Sequence, residues 1–253
     1  MQSIFNRVEK KYVISEEQYN QLMKKIEPYI AKDKYFFNKI CNIYFDTENY
    51  DLTIRSLEKP TYKEKVRVRS YGTPGNEDII FLEIKKKYDG VVNKRRINLK
   101  LKDFNYFLDN GIMPSNVDKQ ISKEIIYCFN NYELQPKMFV AYDRCSYYDK
   151  DNKDFRITFD TNLRSRDYNL SLEDGDYGEL YGNEKFYIME LKTLGALPLW
   201  FVRAINELKI YPTSFSKIGK IYEEKKPRGT VPNGTSQSYI SQVNSNQRIR
   251  KIS

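Results

Sequence analysis

Polar and apolar residues alternate with a period of two along much of this chain, and this pattern predicts β-strands. In the segment 155–161, for example, Arg156, Thr158 and Asp160 alternate with large apolar residues. The pattern predicts strands over 5–14, 40–46, 63–71, 79–87, 91–99, 138–148, 155–161 and 186–192. The turn residues Asp89 and Gly90 predict that the fourth and fifth of these strands form a hairpin.

Apolar residues at helical spacing predict amphipathic helices between the strands. The predicted helices cover about 16–31, 102–110, 116–131, 198–208 and 215–225, and the segment 52–57 suits a short helix or a strand edge. Ser15 and Gln18 have the spacing of a capping box at the start of the first helix. Ser214 is in position to cap the last one. The chain is therefore expected to mix strands and helices in one substantial fold.

At least six of the predicted strands place a cation on one face and apolar residues on the other. Lys63, Lys65, Arg67 and Arg69 share one face of their strand, because successive side chains point to opposite sides. A sandwich with a charged exterior would explain this pattern. A closed barrel with inward charges also explains it, and a polyanion in its interior would then offset the repulsion between the cations.

Composition narrows the choice of partner and chemistry. Among 253 residues there are 43 Lys and Arg against 34 Asp and Glu, a formal net charge of +9, which favours a polyanionic partner. The chain has no histidine, which excludes histidine-based triads and most zinc sites. Its three cysteines show no CxxC spacing, and no apolar run is long enough to span a membrane, so a cytoplasmic location is expected. Residues 226–253 contain no acidic residue and are predicted to be a mobile basic tail.

Several short motifs, in this order and spacing, resemble the VTC domain of polyphosphate polymerases. That domain belongs to the triphosphate tunnel metalloenzyme, or CYTH-like, superfamily. The motifs are Arg7-Val8-Glu9-Lys10-Lys11-Tyr12, Ile43-Tyr44-Phe45-Asp46-Thr47, Val66-Arg67-Val68-Arg69-Ser70-Tyr71-Gly72, Phe81-Leu82-Glu83-Ile84-Lys85, Arg156-Ile157-Thr158-Phe159-Asp160, Glu190-Leu191-Lys192 and Ser214-Phe215-Ser216-Lys217. The resemblance covers about residues 1–225 and separates this domain from the tail at 226–253. Arg7 replaces the first Glu of the superfamily's Glu-x-Glu-x-Lys motif, as in the polymerase branch.

The resemblance implies an α+β fold: an antiparallel eight-stranded closed tunnel barrel with a charged lumen, covered by amphipathic helices. It implies metal-dependent transfer of the γ-phosphoryl group of ATP onto inorganic polyphosphate, with Mn²⁺ or Mg²⁺ as cofactor. The residues expected to act in catalysis are Lys11, Arg67, Arg69, Lys85, Arg144, Arg156 and Lys192. Those expected to bind substrate are Arg55, Lys65, Lys217 and Lys220. Glu190 is expected to bind the metal, assisted by Glu9 and Glu83.

The residues leave other functions open. Water as the acceptor would make the protein a tripolyphosphatase or nucleoside triphosphatase, and a tunnel without turnover would make it a passive polyphosphate-binding module. ATP and inorganic polyphosphate or triphosphate are the expected partners, and association with a membrane partner is allowed. Nucleic acid is not expected, because inward cations would not reach a duplex. Tyr71 and Tyr142 are expected to pack or to line the rim.

Overall fold

A computed structural model describes residues 8–225. Residues 1–7 and 226–253 lie outside the described part, so the start of the first predicted strand, the Arg7 substitution and the basic tail remain predictions. One compact unit extends to Tyr222, and a second begins at Glu223.

Within the described residues the chain forms nine strands and six helices. The strands are β1 (Val8–Ser15), β2 (Ile30–Asp46), β3 (Tyr62–Tyr71), β4 (Ile79–Tyr88), β5 (Val91–Lys100), β6 (Gln135–Asp149), β7 (Arg156–Arg166), β8 (Glu179–Leu180) and β9 (Phe186–Thr193). The helices are α1 (Glu16–Ile26), α2 (Asp51–Leu57), α3 (Leu101–Asn110), α4 (Lys119–Tyr132), α5 (Leu199–Glu207) and α6 (Lys217–Lys225).

The prediction of a closed eight-stranded barrel is wrong. The strands form a single nine-stranded antiparallel sheet with the order β1-β9-β7-β6-β2-β3-β4-β5, and the short β8 pairs with β7. In the described part of the chain β1 pairs only with β9 and β5 only with β4, so the two edges of the sheet are not hydrogen-bonded to each other. Alternation determines which side chains share a face, but it carries no information about whether distant edge strands pair.

Helices cover the apolar face of this sheet in two places. Helices α3 and α4 pack on the apolar side of β3, β4 and β5, where Val66, Leu82 and Ile97 are buried. Helices α1 and α5 pack on the apolar side of β1, β7 and β9, where Ile157 and Met189 are buried. Burial of these apolar residues stabilises the fold and leaves the charged residues on the opposite face of the strands.

The structure confirms the predicted cap of α1 and the predicted turn between β4 and β5. Ser15 and Gln18 form the predicted capping box at α1, with reciprocal hydrogen bonds of 3.1 and 3.2 Å. Asp89 and Gly90 both have positive φ, as the two-residue turn between β4 and β5 requires. The segment 52–57 is helical. The predicted cap at α6 is wrong, because Ser216, and not Ser214, accepts the hydrogen bond from the Gly219 N–H at 3.2 Å.

Other boundaries differ because tertiary pairing extends the strands. Helix α1 ends at Ile26, and β2 begins at Ile30, ten residues earlier than predicted, where it pairs with the end of β6. Strand β7 continues to Arg166 into the predicted polar connection. The three cysteines are free, as expected, and Cys145 is only partly buried. None of the helices described between residues 8 and 225 is both long and apolar enough to cross a membrane.

Candidate functional site

The charged face of the sheet is continuous from β1 to β5, because the strand register places polar residues side by side. Lys11 is opposite Glu190, Glu190 is opposite Thr158, and Arg144 is opposite Asp160. Farther along the sheet, Asn42 is opposite Arg69, Tyr44 is opposite Arg67, Arg67 is opposite Glu83, and Lys65 is opposite Lys85. Most of the predicted site residues therefore lie on one surface.

This charged face is strongly curled. Strands β1 and β3 are five positions apart in the sheet, yet two consecutive residues before α6 contact both. The Lys11 ammonium donates to the Phe215 carbonyl at 3.5 Å, and the Lys65 ammonium donates to the Ser216 hydroxyl at 2.8 Å. A flat sheet would separate these strands by roughly 24 Å. We call the surface enclosed by the curl the charged concavity.

The electrostatics support the same geometry. The positive charge of Lys85 on β4 helps to lower the pKa of Lys11 on β1, after the larger effect of burial. In a flat sheet these strands would lie roughly 29 Å apart, and solvent would screen their interaction. The curl therefore brings cations from opposite parts of the open sheet into one concavity.

Glu190 occupies a group of four alternating charges on β1 and β9. Its carboxylate lies 2.9 Å from the Lys192 ammonium, and Lys11 lies 3.8 Å from Glu9. Burial raises the pKa of Glu190, but the charges of Lys192, Lys11 and Arg144 outweigh it and hold the pKa at about 2. Glu190 is therefore an anion at neutral pH on a surface that is rich in cations.

Asp160 is the centre of a second group, which sequence reasoning did not identify as part of the site. Arg144 donates to its two oxygens at 2.6 and 2.8 Å, and Lys217 of α6 donates at 2.7 Å. Burial raises the pKa of Asp160, but the Lys217 and Arg144 charges hold it far below its ordinary value. Tyr142 packs against both cations, with the Lys217 ammonium 4.3 Å from its ring centroid. Asp160 thus attaches the start of α6 to the sheet.

Glu83 forms a third group with Arg67 and Lys94. Arg67 donates to one Glu83 oxygen at 2.8 Å, and the Lys94 ammonium lies 2.6 Å from the other. Burial raises the pKa of Glu83, but Arg67, Arg69 and Lys94 hold it at about 2. The Tyr44 hydroxyl also accepts from Arg67, at 3.1 Å. These contacts fix the guanidinium against the wall of the concavity.

Arg69 is buried beside this group and bonds only to neutral partners in the described residues. It donates to the Asn42 side-chain oxygen at 2.9 Å and to the Tyr142 hydroxyl at 3.1 Å. Burial raises the pKa of Tyr142, but Arg69, Arg144 and Lys217 lower it to about 8. Asn42 and Tyr44 were not predicted to take part, and their place opposite the Arg-x-Arg motif follows only from the β2–β3 register. The expected packing role of Tyr142 agrees with its burial, whereas Tyr71 is exposed.

A fourth group contains lysines without carboxylate partners. Lys65 is directly opposite Lys85, and Lys63 is directly opposite Lys87. None of these four lysines forms an ion pair with a carboxylate of residues 8–225. Burial, together with Lys63, Lys11 and Lys85, lowers the pKa of Lys65 to about 8, although Tyr44 opposes the effect.

Two of the predicted residues, Arg55 and Arg156, lie apart from these groups. Arg55 is exposed on α2 and makes no ion pair within the described residues. Arg156 is the first residue of β7; 57% of its side chain is exposed, and it lies 3.8 Å from Asp33. Lys220 is half-buried on α6, one turn after Lys217. Within residues 8–225, Arg55 and Arg156 form no ion pair with Glu83, Asp160 or Glu190.

A divalent metal ion in the charged concavity would need carboxylate oxygens that lie close together. In the described residues no three carboxylate or thiol side chains form a ligand cluster. Glu9 and Glu190 are diagonal neighbours on β1 and β9, and both charges act on Lys11. Two carboxylates suit Mg²⁺ or Mn²⁺ when phosphate oxygens complete the coordination. Glu83 is not with them, because its oxygens contact Arg67 and Lys94.

Comparison with known proteins adds a family and a fold. The VTC domain profile matches residues 6–223. Vacuolar transporter chaperone complex subunit 4 of Trypanosoma brucei brucei is 28% identical over 163 residues, which cover 52% of this chain and 20% of that protein. Vacuolar transporter chaperone complex subunit 4 of Trypanosoma cruzi is 26% identical over 153 residues, which cover 49% of this chain and 19% of that protein. The chain thus spans about a fifth of the length of these relatives.

A solved structure has a similar fold. It is that of a provisionally named adenylate cyclase of Bacillus halodurans, with a TM-score of 0.51 and 14% identity over 83% of this chain and 93% of that one. At this identity the likeness concerns the fold alone.

Proposed function

This chain belongs to the VTC domain family, and from that premise we propose that it is a metal-dependent polyphosphate polymerase. In this proposal the γ-phosphoryl group of ATP is transferred onto an inorganic polyphosphate chain, and ADP is released. The observation that carries the proposal is the pair of Lys65 and Lys85 in the charged concavity, which face each other and form no ion pair with a carboxylate of residues 8–225. A phosphate chain between them would supply the missing negative charge.

Phosphoryl transfer depends mainly on positioning and charge stabilisation, so it needs no nucleophilic side chain. Arg67, Arg69 and Arg144 are held by neighbouring side chains before any ligand binds. Such preorganised donors are well suited to phosphate oxygens, because no reorganisation is needed when charge develops. In the proposal Lys65 and Lys85 bind the acceptor chain beside them.

Glu190 and Glu9 would hold the divalent metal. When bound, Mn²⁺ or Mg²⁺ would neutralise phosphate charge and help orient the reacting groups. Carboxylates in a phosphate site would repel the substrate unless they bind a metal, so a metal would account for their presence. Lys11 is directly opposite Glu190 on β1, Lys192 lies two residues farther along β9, and both charges would keep Glu190 ionised.

The relatives are named as subunits of a complex, so we propose that this chain also works with partner proteins. A partner would determine where the product goes. Association with a membrane would also occur through such a partner. A cytoplasmic location remains part of the proposal.

The proposal is tested by incubating the protein with ATP and Mn²⁺ and separating the products on a gel. We expect polyphosphate and ADP from the wild type. Glu190→Gln removes a carboxylate that would hold the metal and should form roughly 100-fold less product. The exposed control Glu58→Gln should form wild-type amounts. Circular dichroism confirms that each variant is folded. Absence of both products would overturn the proposal. Phosphate release from tripolyphosphate without chain growth would indicate hydrolysis instead.

A further inference from the structure

The end of the charged concavity at β3 and β4 carries cations that the proposed reaction does not use. Lys63 is directly opposite Lys87. Lys63 is the second residue of β3, and Lys87 is the last residue but one of β4. Lys59 follows α2 and lies close enough that its charge acts on Lys63. Like charges opposite each other on two strands are destabilising, so this arrangement requires an explanation.

Other lysines of this region have acidic partners. Lys94 is 2.6 Å from Glu83, and Lys86, which points to the other face of β4, is 3.6 Å from Glu124. Lys59, Lys63 and Lys87, in contrast, form no ion pair with a carboxylate in residues 8–225. Within residues 8–225 their ammonium groups make a single hydrogen bond, from Lys63 to the Ser56 carbonyl at 3.3 Å. The row of lysines without carboxylate partners therefore continues from Lys65 and Lys85 to the end of both strands.

We propose that Lys59, Lys63 and Lys87 form an accessory polyanion site, which binds the part of a long phosphate chain that extends beyond Lys65 and Lys85. The site continues the row of cations on the same face of β3 and β4 to the end of both strands. Lys63 and Lys87 are half-buried and Lys59 is exposed, so a chain leaving the concavity would pass them before it reaches solvent. The inference rests on the proposed function in taking polyphosphate as the polyanion.

The site makes affinity depend on chain length. Tripolyphosphate is short enough to be held by the central cations alone, whereas a long chain also reaches the three outer lysines. Long chains should therefore bind more tightly than tripolyphosphate, and only this difference should depend on Lys63 and Lys87. If Lys63 and Lys87 only contacted solvent, replacing them would not weaken the binding of long chains more than that of tripolyphosphate.

The test measures the binding of tripolyphosphate and of long-chain polyphosphate to Lys63→Gln/Lys87→Gln by calorimetry without nucleotide. We expect roughly tenfold weaker binding of the long chain, as for the loss of two exposed charge contacts, and less than a twofold change for tripolyphosphate. The matched control is Lys119→Gln/Lys123→Gln, which removes two exposed lysines from α4 on the opposite face. It should leave both affinities unchanged.

The outcomes separate the two proposals. Equal weakening for both ligands, or no weakening for either, would overturn the accessory site and leave the proposed function standing. If the wild type binds neither ligand, the proposed function fails as well. The unfolding midpoint without ligand provides a second check, since removing opposed like charges should leave it unchanged or higher. A lower midpoint in Lys87→Gln, which keeps the hydrogen bond from Lys63 to the Ser56 carbonyl, would contradict the repulsion on which the site is based.

Discussion

Lys65 lies among other cations, and a hydroxyl group, that of Ser216, accepts its hydrogen bond. Its pKa is about 8 in the folded protein, below the ordinary value of 10.5. The folded state therefore binds fewer protons than the unfolded chain between about pH 8 and 10.5. The lysine accordingly costs stability below pH 8, and the cost disappears as the pH rises. A bound phosphate chain would raise the pKa of Lys65, because its negative charge favours the protonated amine.

This linkage predicts that polyphosphate binds with proton uptake above pH 8 and that affinity falls as the pH rises from 7.5 to 9.5. Calorimetry in buffers of different ionisation enthalpy measures the uptake. Lys65→Arg keeps its charge, so the pH dependence should become weaker. Tyr142, with a pKa of about 8, contributes a negative charge in the same range, so Lys65→Arg/Tyr142→Phe should remove most of the dependence. An equally steep dependence in the wild type and Lys65→Arg would contradict the prediction.

For individual residues, the sequence identified the cations but not the groups that position them. Lys65, Arg67 and Arg144 were expected on one face because alternation determines the direction of each side chain. Asp160 is part of the same alternation, yet its contacts with Arg144 and Lys217 depend on the β6–β7 register and on the docking of α6. Such contacts join distant segments and have no local signature.

Among the connecting elements, the segment from Asp167 to Gly178 is organised by one arginine. Arg166 is fully buried, lies between the rings of Phe139 and Tyr177, and donates to four backbone carbonyls of this segment. Satisfying buried carbonyls in this way allows a loop without regular structure to pack against β7. The sequence suggested only a polar connection here, because an arginine that binds carbonyls is indistinguishable in sequence from an exposed one.

Gly178 ends this segment where the backbone passes close to β7. A Cβ atom there would lie 2.7 Å from the Ser165 carbonyl oxygen and 2.8 Å from its carbon. Because the obstacle is backbone, Gly178→Ala should lower the free energy of unfolding by about 1–3 kcal/mol. Gly195→Ala is the control, since a Cβ there meets nothing within 4 Å, and its effect should be below about 0.5 kcal/mol. Urea denaturation measures both, and similar values for the two variants would contradict the prediction.

Across the whole molecule, the sequence predicted the two faces of the sheet but not its open edges. The apolar alternation placed Val66, Leu82 and Met189 under the helices, and they are buried there. Closure would have required hydrogen bonds between β1 and β5, which are 75 residues or more apart in sequence. Instead, the curl of the sheet and the segment before α6 bring the cations together. A concavity of this kind needs no closed ladder.

Buried ion pairs distributed over the charged concavity make the stability of the whole fold sensitive to acid. The pKa of Glu83 is about 2 in the folded protein against an ordinary value of 4.5, and the pKa of Glu190 is also about 2. Such depressed values contribute stability that is fully present above about pH 4.5 and is lost as the pH falls towards 2. At pH 3 each carboxylate binds a proton in the unfolded chain that it does not bind in the folded protein.

We therefore expect the free energy of unfolding to fall steeply between pH 4.5 and 2.5. In Glu83→Gln the slope at pH 3 should be smaller by about 1.4 kcal/mol per pH unit, since one titrating group is removed. This variant is also less stable at pH 7, because the half-buried Arg67 loses its anion. The exposed Glu48→Gln controls for the loss of a carboxylate. Urea titrations at several pH values measure the slope, and an identical slope in Glu83→Gln and the wild type would show that this ion pair does not support the folded sheet.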